Sequence, residues 1–146
     1  MADAKTAEIF HTLAVPVDVP LERVQCMLCV ALETPHGDWI EFVEIAELAD
    51  GLTLGDFRRG GSEAIKVDGY FPSTQLIPFV DGCSLSFEVE GEDERRTLDR
   101  AAMVKGLGVM AAKYPVHFHD MMQENDDAIT ADVFLQCCLL GDVIFG

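Results

Sequence analysis

Six side chains able to ligate a metal or move a proton fall within eleven residues: His117, His119, Asp120, Glu124, Asp126 and Asp127. A zinc or manganese centre needs three or four such donors converging at about 2.0–2.2 Å. The spacing matches no established ligand signature. There is no His-Glu-x-x-His run, and no glycine stands sixth in a calcium loop counted from Asp126 or Asp127. On a helix, His117 and His119 would point about 200° apart. Only an extended segment would bring them to one side. The expected reading is therefore surface polar groups and helix caps, with a metal site at these six residues as the alternative.

The thiols offer a second chemistry. Cys26 and Cys29 spell a CxxC, and Cys137-Cys138 would complete a four-thiolate set. A zinc knuckle sets its CxxC in a polar turn, and a redox CxxC opens a helix after a strand. Here the pair sits inside an apolar helical pattern, where thiols act as small buried hydrophobes. Cys83 with His117 or His119 is a conceivable nucleophile and base, but no spacing supports it and no Gly-x-Ser-x-Gly elbow is present. Arg58-Arg59-Gly60-Gly61-Ser62 is the one locally basic patch, and it lacks the lysine and the helix start of a phosphate loop. No catalytic residue is assigned and no cofactor is expected.

Charge says more about partners. The chain carries 26 acidic and 10 basic residues, a net charge of −16. Residues 1–50 hold ten acids against two bases, and residues 81–100 hold seven against three. Such a field repels nucleic acid and anionic membrane. It keeps an apolar-rich chain dispersed, and it suits a basic protein partner. No apolar run nears the roughly 20 residues that span a bilayer. The first ten residues do not resemble a secretory signal, and the five cysteines lack the regular spacing of a disulfide framework. A cytoplasmic location with reduced thiols is the expectation.

The elements that must position these groups follow from periodicity. Ile9–Val15 reads as a short strand or arm. Asp18-Val19-Pro20 opens a helix with Leu21, Val24, Leu28, Ala31 and Leu32 on one face, ending before Pro35. Trp39–Val43 reads as a strand, and the continuation to Leu48 stays open, because apolar residues occur in both phases. Residues 50–63 read as a glycine-rich flexible loop. Strands are expected at Ala64–Val67, Leu76–Val80 and Ser84–Glu90, with turns at Asp68-Gly69 and Asp81–Cys83. Pro78 marks an edge or a bulge. Ser84–Glu90 alternates as a half-buried antiparallel strand should.

After the Gly91–Glu94 turn, Thr97 is expected to cap a helix over Leu98–Lys113. Its inner face would be Leu98, Ala101, Ala102, Val104, Leu107 and Met110. Gly106 and Gly108 imply a kink or a close approach by another backbone. Pro115 starts a further element whose apolar side would be Val116, Phe118, Met121 and Met122. Asn125–Asp127 ends it. Thr130 caps a final helix over Ala131–Leu140, closed by Gly141. Val143–Phe145 adds a short strand or covers the core. Together these give one α+β domain over residues 1–146: an antiparallel sheet from the central region with helices 20–33, 98–113 and 131–140 on one face.

Several runs resemble a group of uncharacterised small proteins of tailed phages and prophages. They are Cys29–Glu33 with Trp39, Lys113–Pro115, Asp126–Gln136 and Gly141–Gly146. The resemblance covers residues 20–40 and 95–146. Thr34–Asp38 departs from the group's Gly-Gly-Ser-aromatic step. The group has no activity to transfer, so the resemblance implies a phage or prophage origin and a host-interaction role. The expected function is a non-enzymatic protein-interaction or phage accessory factor acting through an acidic surface. A small metal-dependent enzyme or ligand-binding domain at His117–Asp127 is the alternative.

Overall fold

A computed structural model describes residues 8–33, 37–57 and 73–146. The expected strand at 64–67, the turn at 68–69, the basic run 58–62 and the stop at Pro35 lie outside the described residues. Helix α1 spans Leu21–Glu33 and buries Val24, Met27, Leu28 and Ala31. Strand β1 spans Ile40–Glu47 and pairs antiparallel with β2, Ser84–Val89. β2 pairs antiparallel with β3, Arg96–Leu98, giving the order β1-β2-β3. Helix α3 is Arg100–Lys113, α4 is Pro115–Met122 and α5 is Ala128–Leu140. Between β1 and β2 lie a 3-10 turn at Leu54–Phe57 and a four-residue helix, α2, Ser73–Leu76, which runs into a 3-10 turn at Ile77–Phe79. The α+β class expected from the pattern is the class observed.

The ambiguity of residues 39–48 has a physical origin. The β1–β2 register slips between Ile40 and Phe42, and again between Ile45 and Glu47. Each bulge inserts one residue and reverses which side chains face inward. Ile40, Val43 and Ile45 are all half-buried although they occupy opposite phases of a regular strand. A two-phase apolar pattern is what such a strand must show.

Three expected elements are corrected. Residues 9–15 form neither helix nor strand and stand exposed. Leu76–Val80 is helical at its start, with Pro78 in the first turn of a 3-10 helix, where its missing N–H costs nothing. Leu98 belongs to β3 and is fully buried, so the next helix begins later: Asp99 caps it, accepting from the Ala102 N–H at 2.8 Å. Ser84–Glu90 keeps its strand but is more buried than a half-exposed strand, because it is central. Ser86 lies between Glu44 on β1 and Thr97 on β3.

α5 is the centre of the core. Thr130 to Cys137 and Leu139 are all buried, so the helix is enclosed on every side. α1 and α3 pack against it, and β3 closes on both α3 and α5. Gly106 shows how close α3 comes. A Cβ at that position would stand 2.6 Å from Cys138 Cα and 2.7 Å from its backbone nitrogen. Glycine therefore sets the α3–α5 contact, the close backbone approach expected there. The inner face of α3 is Met103, Gly106 and Met110, rotated from the expected one, and Val104 points to solvent. α5 ends on Gly141, whose φ of 74° is left-handed. No helix among the described residues is long and apolar enough to cross a membrane.

Candidate functional site

The six predicted donors lie on α4, on the turn after it and at the start of α5. Pro115 begins α4 at its first position, and α4 stops at Met122. Glu124 then turns left-handed, with φ 61°, and the Asn125 N–H bonds back to the Asp120 carbonyl at 2.8 Å. The turn sends the chain into α5, which Asp127 caps by accepting from the Thr130 N–H at 2.9 Å. The cap is thus Asp127, three residues before the expected Thr130.

Each donor has its own structural partner or faces solvent. His117 Nδ1 lies 3.0 Å from Thr130 Oγ1. Hydrogen bonds from the Thr130 backbone first, and then its hydroxyl, hold the Asp127 carboxyl below the usual carboxylate range. Glu124 and Asp126 approach the Arg23 guanidinium at 3.6 and 3.5 Å. Arg23 is only 11 % exposed, so the acidic knot ties the α4–α5 turn to α1. His119 is exposed, and Asp120 contributes its backbone carbonyl. Among the described residues, no three His, Cys, Asp or Glu side chains group closely enough to hold a metal ion. The Thr130–His117 pair has the form of a nucleophile beside a base, but Thr130 is 2 % exposed and meets no substrate without local opening.

The thiols are free, and three of them are held in the protonated form. Burial first, then the Glu33 carboxylate, pushes Cys29 up to about 11. Burial pushes Cys137 up to about 11 as well, and raises Cys138 well above the usual thiol value. All five cysteines are unbridged.

The most connected polar group is one that spacing did not single out. Asp132 is buried on α5. It accepts from Trp39 Nε1–H at 2.7 Å on one oxygen and from Gln136 Nε2–H at 2.7 Å on the other. Gln136 in turn receives the N–H groups of Ile144 and Phe145 at 2.8 and 2.9 Å and donates to the Phe145 carbonyl at 2.9 Å. Phe145 stacks on Trp39 with ring centroids 5.7 Å apart. One carboxylate therefore binds the entry of β1, the middle of α5 and residues 143–146. The expected strand or cover at Val143–Phe145 is this cover. The available signal was a lone acid and a glutamine four residues apart inside an otherwise apolar helix, where buried polar groups must be paired.

The same residues close a second latch. Tyr114 donates its hydroxyl proton to Asp142, and Lys113 Nζ lies 3.1 Å from the same carboxylate. These bonds, that of Tyr114 foremost, hold Asp142 down at about 2.

The acidic residues are concentrated on the sheet. Residues 38–50 contribute five acids and no base, and residues 88–94 contribute five more. In the antiparallel pairing Val89 lies beside Ile40 and Glu88 beside Phe42, so the second stretch adjoins the entry end of β1. Arg95 reaches Glu44 at 2.7 Å and Glu88 at 3.5 Å while covering the Phe42 ring, and Arg96 holds Glu92 at 2.7 Å. Asp38, Glu41, Glu47, Asp50, Glu90, Asp93 and Glu94 are exposed and have no ion-pair partner among the described residues. β1 has no second strand beside it among those residues. No protein-family model matches the chain, and no solved structure matches it.

Proposed function

We propose that the protein is a non-enzymatic interaction factor whose acidic sheet edge engages a basic protein partner. The observation that carries this reading is that pairing sets Glu88 and the acidic turn after it at the entry end of β1, whose own acids run on to Asp50. Uncompensated carboxylates stand toward both ends of β1, on either side of the Glu44–Arg95 pair. Uncompensated like charge along one face raises the approach rate and the selectivity for a partner of opposite sign. The edge of β1, beside which no other described strand lies, adds backbone donors and acceptors to the same surface. On this reading the partner is a protein of a bacterial host, met in the host cytoplasm, as the resemblance to phage and prophage proteins would imply.

The experiment is a pull-down from host lysate with the full chain at low and at high salt, set beside a variant combining Glu41→Gln, Glu47→Gln, Glu90→Gln and Glu94→Gln. One basic protein is expected at low salt, released at high salt and not recovered by the neutralised variant. Screening shortens the reach of exposed charges to about 8 Å at physiological ionic strength and about 3 Å at 1 M. Capture that ignores both salt and the four substitutions defeats the reading.

A further inference from the structure

The carboxylates around the sheet differ in their surroundings. Glu44 and Glu88 share Arg95, and Glu92 has Arg96. Asp38 and Glu90 are exposed and have no cation of their own chain among the described residues. They also share a cavity. The Glu90 N–H donates to the Trp39 carbonyl at 2.8 Å, so Glu90 lies across from the residue that follows Asp38. Together with Trp39, Ile144 and Phe145 the two acids line a space of about 320 Å³.

Aromatic rings form its apolar side. Trp39 is 3 % exposed, and the half-buried Phe145 stacks on it with ring centroids 5.7 Å apart. Both are held from behind: Trp39 Nε1–H is bonded to Asp132, and the backbone N–H and carbonyl of Phe145 are bonded to Gln136. This wall is formed before any ligand arrives, and a preformed site loses little freedom on binding. An aromatic wall beside two carboxylates complements a cation that is flat, weakly hydrated and rich in donors. A guanidinium has those properties, whereas an ammonium is compact and strongly hydrated. A hard metal ion needs more converging oxygens, and no three ligating side chains gather among the described residues.

We propose, on the reading of the acidic edge as a partner surface, that this cavity anchors the partner by one arginine side chain. Its guanidinium lies against Phe145 and between the carboxylates of Asp38 and Glu90. Volume agrees: about 320 Å³ is at the lower end of the roughly 300–1,000 Å³ of ligand cavities, room for a side chain but not for a length of backbone. Place agrees too. The cavity stands at the entry end of β1, where Glu88 and the acidic turn after it adjoin the strand. A cation drawn in by the field of the edge arrives there. Arginine seated in a pocket is a frequent centre of binding energy in protein interfaces.

The test is titration of the full chain with blocked tri-arginine and tri-lysine peptides at low salt, followed by calorimetry and by the emission of Trp39, the sole tryptophan. Tri-arginine should bind at least about threefold more tightly than tri-lysine and should change the Trp39 emission with the calorimetric midpoint. Asp38→Asn with Glu90→Gln should weaken tri-arginine by about tenfold. Glu41→Gln with Glu47→Gln removes the same charge outside the cavity and should cost less than about threefold. All four side chains are exposed, so far-UV circular dichroism should be unchanged in both paired variants. Phe145→Leu keeps the backbone bonds to Gln136 and should abolish the preference for arginine. Equal affinity for the two peptides, equal effects of the two paired variants, or binding that leaves the Trp39 emission unchanged overturns the proposal. The acidic edge still stands in those cases if the lysate pull-down recovers its salt-released partner. A pull-down without a partner, beside tri-arginine binding as expected, sinks the edge reading and keeps the cavity.

Discussion

Replacing Asp132 by asparagine tests the network that holds Trp39 and residues 143–146 on α5. The change is nearly isosteric, so packing is preserved and only hydrogen-bond direction alters. Asp132 accepts on both oxygens, from Trp39 Nε1–H and from Gln136 Nε2–H. The second bond fixes Gln136 with its Oε1 toward the N–H groups of Ile144 and Phe145. Asparagine can turn its carbonyl to Trp39, but its NH₂ then opposes the NH₂ of Gln136. Turning Gln136 over removes that conflict and sets its NH₂ against two backbone N–H groups. No arrangement satisfies every donor.

A buried polar group left unpaired costs about 1–3 kcal/mol, and a bond to an ionised acceptor contributes about 1.5–3. The expected loss is about 2–3 kcal/mol. For a domain near this size, 1 kcal/mol moves the melting temperature by about 2–4 °C, so a fall of about 4–12 °C is expected. Urea unfolding would be followed by circular dichroism and by the emission of Trp39, the sole tryptophan. Amide exchange at Ile144 and Phe145 should accelerate in the variant, since their acceptor is compromised. Trp39→Phe and the double variant complete a cycle with a coupling of about 0.5–3 kcal/mol, the range for residues in one network. Stability within about 0.5 kcal/mol of the parent, with exchange at 144 and 145 unchanged, would refute the reasoning.

Gly106→Ala gains helix propensity of about 1 kcal/mol but drives a methyl into the Cys138 backbone. Overpacking of this kind costs about 1–3 kcal/mol, near the upper end when backbone must move, so thermal denaturation should show a net loss of about 1–2 kcal/mol. Asp142 has a depressed pKa, so its contribution is full above the ordinary carboxylate value of 3.8 and is lost as pH falls through about 2. A carboxyl titration by NMR should place its midpoint near 2, and Tyr114→Phe should raise it. Native protein at mildly alkaline pH should react slowly with a thiolate-specific reagent at Cys29, Cys137 and Cys138, whose thiols stay protonated. Denaturation should restore ordinary rates at these three; fast native labelling of Cys137 would contradict its burial.

How much of this was legible depended on whether the deciding interaction was local. α1, α4 and the Gly141 stop rest on nearest-neighbour chemistry: a proline in the first turn, a period-3.6 apolar face, a left-handed glycine. Those could be read directly. Leu76–Val80 has strand-like composition, yet its backbone turns helical where Gln75, Leu76 and Ile77 find burial. β3 has only three residues, too few to show an alternation. Asp99 and Thr97 are both good caps, and the choice fell to the need of Leu98 to enter the core.

The donor cluster was legible as a list of residues, but its partners were not. Arg23 lies about a hundred positions upstream of Asp126 and carries no mark of that pairing. The same distance hides the Trp39–Asp132 bond, which joins residues 93 positions apart. Gly106 and Gly108 look alike in sequence; only packing separates the one that faces Cys138 from the one that faces open space.

The enclosure of α5 has a consequence for how the chain acquires its structure during synthesis. α5 is made after every other described helix and strand, yet α1, α3 and β3 all close on it. Until residues 128–140 emerge from the ribosome, the apolar faces of α1 and α3 lack the surface they bury against. Domains ordinarily fold as units while translation proceeds, and this one completes its core only once α5 has been made. In the nascent chain, core residues upstream of α5 therefore stay uncovered until residues 128–140 are made. The ten acids already made within residues 1–50 help keep it dispersed through that interval. On this view the negative charge protects the unfinished chain before it serves the finished one.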